Sequence, residues 1–178
     1  STIFDSTYPA GTEYNQDFQT CVETTHATYL LNSYAFSGAG YSGLALEAAR
    51  NGSMRMGYNY VVPSVSAAHD AASPGFIDVT LTLQNIGVAP FYYGLNVTLA
   101  CNDDTQEGWA GVLEGVENLL PGQSSEFIFT KVPAHATSCL SSLKAGLASK
   151  HVYEERPVRF AHNLDSFTLS LPPTPRPP

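Results

Sequence analysis

The chain has 178 residues, about one domain's worth, with eight basic against sixteen acidic side chains and a formal net charge of -8. That balance argues against nucleic acid or an anionic membrane surface as a partner, because both call for clustered Lys and Arg. No apolar run approaches the roughly 20 residues needed to span a bilayer, which argues against membrane insertion.

Charged residues make up only 13% of the chain, while Tyr, Ser, Thr, Gly and Asn are abundant. Such a surface is polar without being charged, which suits an extracellular, hydroxyl-rich setting. A domain of this size buries roughly 70% of the surface its unfolded chain exposes, so it needs no metal or cross-link to fold. The chain begins at Ser1 without a leader, and the expectation is a mature or excised piece of a longer secreted protein. Asn51-Gly52-Ser53 and Asn96-Val97-Thr98 are sequons and expected glycan acceptors in a eukaryotic source.

Residues 1–16 read as an irregular, turn-rich lead-in. From about 17 to 33, Phe18, Cys21, Val22, Tyr29 and Leu30 share one helical stripe, with Asp17 as the expected cap and His26 as a hydrogen-bonded core histidine. A glycine-rich loop follows at 37–41. A second helix is predicted over about 43–50, capped by Ser42 and stopped by the left-handed tendency of Asn51-Gly52.

Strands dominate from there on. Segment 56–66 contains Tyr58, Tyr60, Val62 and then Pro63, which marks an edge or bulge. The centre of the chain is 76–101, which reads as two strands joined by a turn at Asn85-Ile86-Gly87. In the first, Ile77, Val79, Leu81 and Leu83 alternate with polar residues. In the second, Phe91, Tyr93, Leu95, Val97 and Leu99 do so. A period of two gives each strand one apolar and one polar face, as in an antiparallel sheet with one face on a core. Further strands are predicted at 109–115, 125–132, 139–147, 157–162 and 166–171, with a turn at 119–123. Some seven or eight short strands give a mostly β class. The architecture expected is an antiparallel β-sandwich, immunoglobulin-like or jelly-roll-like, with one or two N-terminal helices. A single domain is expected over 1–171, and the proline-dense 172–178 reads as the start of a stiff linker. That tail also resembles the stalks of hydroxyproline-rich matrix glycoproteins of algae and plants.

Three cysteines are present, Cys21, Cys101 and Cys139. Cys101 shares phase with Val97 and Leu99, and Cys139 with Leu143 and Leu147, so both are placed inward. A Cys101–Cys139 bridge is expected, worth roughly 4 kcal/mol in the chain-entropy model. Cys21 is then left over, buried on the helix stripe; three reduced core thiols are the alternative. The spacing does not suit zinc.

One ordered set of motifs is more specific. His26-Ala-Thr-Tyr29-Leu-Leu-Asn32-Ser-Tyr34 is followed by Arg55-Met-Gly-Tyr58-Asn59-Tyr60-Val-Val62, then Asn85-Ile-Gly-Val-Ala-Pro-Phe91-Tyr92-Tyr93, Leu120-Pro121-Gly122 and Arg156-Pro-Val-Arg-Phe160-Ala-His-Asn163. The order resembles an uncharacterised sandwich domain of secreted proteins that follows a barrel-like domain similar to a glycoside hydrolase. The likeness runs from about Gly11 to Leu171. It implies a fold and an extracellular, sugar-related setting rather than a mechanism. The family's additional cysteines around the two helices are reduced here to Cys21, so no helix-region disulfide carries over.

Sugars bind proteins on aromatic faces, with amides and carboxylates bonding their hydroxyls. Trp109, the only tryptophan, follows the polar loop that holds Asn102, Asp103, Asp104 and Glu107, and Tyr92 is expected on the polar side of its strand. Those residues form the expected glycan site; core tryptophan and plain sheet tyrosine are the structural alternatives. Asp103, Asp104 and Glu107 also offer oxygen ligands of the kind calcium takes, although their spacing fits no defined calcium loop and a solvated acidic turn is the favoured reading. No cofactor is otherwise expected. No paired carboxylates, metal-spaced histidines, G-x-S-x-G, H-E-x-x-H or phosphate loop stand out, so enzyme activity is not the expectation. The function expected is a non-catalytic, extracellular carbohydrate-binding module with a polysaccharide or glycan as partner. The alternative is a building block of a matrix or filament glycoprotein, joined to other subunits through its proline-rich stalk.

Overall fold

The computed structural model of the chain describes residues 18–29, 42–101, 109–133 and 143–149. The elements in order are α1 (Phe18–Thr25), α2 (Gly43–Arg55), β1 (Tyr60–His69), β2 (Phe76–Asn85), β3 (Asn96–Cys101), β4 (Trp109–Leu113), β5 (Ser124–Pro133) and β6 (Leu143–Ala148). The strands form two antiparallel three-stranded sheets, ordered β1-β2-β5 and β4-β3-β6. The protein is thus mostly β and sandwich-like, with two helices before the strands. Among the described residues no helix is long and apolar enough to cross a membrane. The strands expected at 157–162 and 166–171, and the tail, lie outside the described residues.

Alternation builds the core. Along β2 every second side chain, from Ile77 to Leu83, is fully buried. Val97 and Leu99 of β3, Phe127 and Phe129 of β5, and Leu143 and Leu147 of β6 join them in one cluster shared by both sheets. Each such side chain contributes about 1.5–3 kcal/mol. A slip of one residue would turn the whole inward set to solvent, so the register is strongly specified. Pro63 behaves as its lack of an N–H demands: among the described strands β1 pairs only with β2, and the register shifts between Val61 and Ser64.

The two central strands do not pair with each other. β2 lies between β1 and β5, whereas β3 lies between β4 and β6. Residues 86–95 therefore cross from one sheet to the other instead of closing a hairpin. This shortens the second strand, which starts at Asn96 rather than near Phe91. Over the crossing stretch, side chains replace the ladder as partners for the backbone. Phe91 N–H donates to Tyr60 Oη at 3.3 Å, Leu95 N–H to Glu117 Oε2 at 3.0 Å, and Ser149 Oγ to Gly94 O at 2.7 Å. Phe91 and Leu95 are buried there as expected, whereas Tyr93, also expected inward, is exposed.

The helices also differ from expectation. α1 ends at Thr25, where His26 takes a left-handed backbone with φ 51 and Ala27 N–H reaches back to Val22 O at 3.1 Å. That six-to-one closure is the Schellman ending, with histidine in the place glycine usually fills. Val22 is the buried residue of α1, whereas Cys21 is exposed and carries a free thiol. The stripe was too short to bury it once the helix stopped. α2 runs straight through Asn51-Gly52 to Arg55. Gly52 is buried within it, at a position where glycine costs a helix roughly 1 kcal/mol relative to alanine. Ser42 holds the N-cap position without a side-chain hydrogen bond, and Asp17 lies outside the described residues.

Asn85, at the end of β2, is the one buried polar residue of the described core. Its Oδ1 accepts from Asn59 N–H at 3.2 Å and Gly87 N–H at 3.0 Å; its Nδ2 donates to Ala89 O at 2.9 Å and Leu119 O at 3.1 Å. Its backbone exchanges further bonds with Gln123 O and Gly122 N. Gly87 is required beside it, because a Cβ there would stand 2.4 Å from Gly57 O. Asn85→Leu keeps the volume and orphans these buried partners. Unfolding by denaturant is expected to show a loss of roughly 3–5 kcal/mol; a loss below 1 kcal/mol would mean that the partners find water.

Tyr60 is fully buried, and burial pushes its phenol up to about 12, the bond from Phe91 N–H acting the other way. A folded-state value above the unfolded one gives stability that is complete below about pH 10 and is lost as pH rises toward 12. Wild-type stability is therefore expected to fall more steeply than that of Tyr60→Phe over that window, measured by denaturant titrations at stepped pH. Parallel curves would contradict it.

Candidate functional site

An open cleft of ≈ 480 Å³ lies where the helices meet the Asn85 end of the sandwich. Its walls have different origins. Asn59, Ile86, Val88 and Pro121 come from segments that Asn85 ties together. Gln19, Glu23 and His26 come from α1 and its end, and Met54 and Arg55 from the last turn of α2.

Gln19 and Glu23 are four apart and share a face of α1. Gln19 Nε2 donates to Glu23 Oε1, and Arg55 Nη1 donates to Gln19 Oε1. A cation, an amide and a carboxylate thus form one chain across both helices. His26 closes the other side: its Nδ1 lies 2.7 Å from Val88 O, and Tyr92 Oη donates to the His26 carbonyl at 3.2 Å. Gly57 N–H bonds Ala27 O at 2.8 Å, so this corner is pinned to the sandwich by main chain and side chain together. His26 is exposed rather than a core histidine, because the helix ends before it. Tyr92 is 59% exposed at this corner.

The arrangement suits a polyhydroxylated ligand. Planar polar side chains can each bridge neighbouring hydroxyls, Ile86 and Val88 give apolar patches, and Tyr92 offers a ring at the rim. Among the described residues, the carboxylate lining the cleft is Glu23.

The residues expected to form a single glycan site are not all brought together. Trp109 pairs with Cys101 at the far end of β3, while Tyr92 precedes the near end. The six residues of β3 separate them, a span on the order of 17 Å, too far for one sugar ring to touch both. Trp109 is half-buried, packs edge-to-face on Phe129 with centroids 6.2 Å apart, and covers Gly111. Asn102, Asp103, Asp104 and Glu107, with the calcium reading attached to them, lie outside the described residues. So does Cys139, and with it the expected Cys101–Cys139 bridge. Asn51 is exposed on α2, and Asn96 is half-buried opposite Ala148. Among the described residues no three His, Cys, Asp or Glu side chains gather to hold a metal ion. Asp70 caps the β1–β2 turn, where the Ala72 backbone N–H and then Ser73 hold its carboxyl below its usual range.

Sequence reasoning missed Gln19, Glu23, Arg55 and Asn59 as cleft residues. The i,i+4 spacing of the first two was a usable signal; their meeting with Arg55 and Asn59 was not visible in the chain order. The chain matches no protein-family model and no curated protein.

The packing of the indole is checked by Gly111→Ala, whose Cβ would stand 2.7 Å from the Trp109 ring and 2.8 Å from Phe129. A loss of about 1–3 kcal/mol is expected, together with a shift in the emission of the sole tryptophan. Unchanged stability and spectrum would place the ring elsewhere.

Proposed function

We propose that this chain is a non-catalytic, extracellular β-sandwich module that binds carbohydrate in the cleft between its helices and the Asn85 end of the sandwich. The observation that carries this reading is the cleft's lining: Gln19, Glu23, Arg55 and Asn59 beside Ile86 and Val88, with Tyr92 exposed at the rim. That mixture fits the alternating hydroxyl and C–H faces of a sugar. Hydrolysis of a glycosidic bond uses two carboxylates; among the described residues Glu23 is the carboxylate that lines the cleft. The acidic, weakly charged composition and the resemblance to a secreted sandwich domain support the extracellular setting.

A glycan array with wild type, Tyr92→Ala, Arg55→Ala and Trp109→Ala tests the reading. Binding is expected to weaken at least tenfold with the first two and to stay within twofold for Trp109→Ala. Loss confined to Trp109→Ala would move the site to the other end of β3. No binding to any glycan would remove the function.

The matrix or filament subunit is the second reading. It is favoured by the near-complete exposure of Tyr29 (80%) and Leu44 (84%), apolar side chains suited to a broad protein contact. Sedimentation at rising concentration distinguishes it, since a structural subunit self-associates and a glycan-binding monomer does not.

A further inference from the structure

We infer that His26 reads the ligand in the cleft, offering its imidazole Nε2 as a hydrogen-bond acceptor to a hydroxyl of a neutral sugar. This rests on the carbohydrate reading above and specifies which residue and which ligand class that site uses.

The argument starts from the backbone. His26 and Lys131 are the non-glycine residues with positive φ among those described, at 51 and 58. Lys131 has a local reason: it lies in a bulge where Thr130 and Lys131 oppose Asp78, and its N–H faces Asp78 Oδ1 at 3.4 Å. At His26 the backbone gives no reason for histidine. Ala27 N–H to Val22 O and Tyr92 Oη to His26 O are bonds to main-chain atoms. Glycine at position 26 would make them without the crowding that a Cβ meets in the left-handed region. Strain retained in a cleft wall, held by several surrounding bonds, points to the side chain.

The ring's own bond defines what it presents. Val88 O is a carbonyl and only accepts, so Nδ1, 2.7 Å away, carries the proton. Nε2 then holds the lone pair in the neutral imidazole, on an exposed side chain that lines the cleft. Glu23, one turn earlier on α1, supplies a second acceptor. The facing groups are Arg55, already donating to Gln19, and Asn59. Two acceptors side by side call for a ligand that donates hydrogen bonds from hydroxyls. An ionised carboxylate has no proton to give and is repelled by Glu23, so at these two acceptors a neutral sugar unit is favoured over an acidic one.

The test compares the full chain as wild type, His26→Gly and Tyr92→Ala on arrayed cello-, xylo-, manno- and galacto-oligosaccharides and on oligogalacturonides, with thermal unfolding of each. The expected result is that wild type prefers a neutral oligosaccharide and that His26→Gly binds it at least tenfold more weakly. The Tm of His26→Gly should stay within about 3 °C of wild type, since glycine relieves the backbone as the ring's bond is lost. If His26→Gly binds within twofold while Tyr92→Ala loses binding, the inference is overturned and the carbohydrate reading stands. A Tm more than about 10 °C lower would also overturn it, by making the ring a structural tie. Preference for oligogalacturonides would overturn the acceptor argument alone. Absence of binding to every oligosaccharide would overturn both.

Discussion

A single buried amide holds the end of the sandwich where its connections cross. The segment entering β1, the crossing from β2 to β3 and the turn entering β5 all bring backbone polar groups into one dry place. Buried N–H and C=O groups must be paired, and there is no ladder at that end to pair them. Asn85 meets the need by accepting twice and donating twice, the full capacity of a carboxamide used here. Aspartate would lack the two donors, and leucine would have neither donors nor acceptor. The close approach of Gly87 to Gly57 follows from the same crowding.

The cleft is built directly on this clasp. Asn59, the 86–88 stretch and Pro121 form its sandwich-side wall, and each belongs to a segment that Asn85 fixes. The helical wall is held differently. Among the described residues, α1 buries Val22 and α2 buries Gly52. Bonds that join this corner to the rest include Gly57 N–H to Ala27 O, His26 Nδ1 to Val88 O and Tyr92 Oη to His26 O, and Arg55 to Gln19 links the two helices. The cleft thus has one wall from the sandwich and one from the helices.

The aromatic residues illustrate how position in the fold changes meaning. Tyr60 and Phe91 are sealed in the core, while Tyr58 stacks on Tyr60, meets Phe91 edge-to-face and remains partly exposed. Trp109 spans the sheets from β4 to Phe129 on β5, which ties its ring to packing. Tyr92 bonds the carbonyl of His26, a residue that lines the cleft. A lone tryptophan after a polar loop and a tyrosine in a strand-like run read alike in the sequence, and their surroundings separate them.

The chain's local patterns determined the strands and their faces. Ile77 to Leu83, Phe127 with Phe129, and Leu143 with Leu147 could be assigned inward from alternation alone, because a period of two is a property of neighbouring residues. Pro63 was equally legible, since a missing N–H acts locally. Only the tertiary structure decided which strands pair, where the helices end and which residues meet. β2 and β3 went to different sheets, α1 stopped at His26 while α2 ran through Asn51-Gly52, and Tyr92 was drawn to α1 and away from Trp109. Those outcomes depend on satisfying buried backbone groups between segments far apart in the chain, a demand that no short stretch of sequence records.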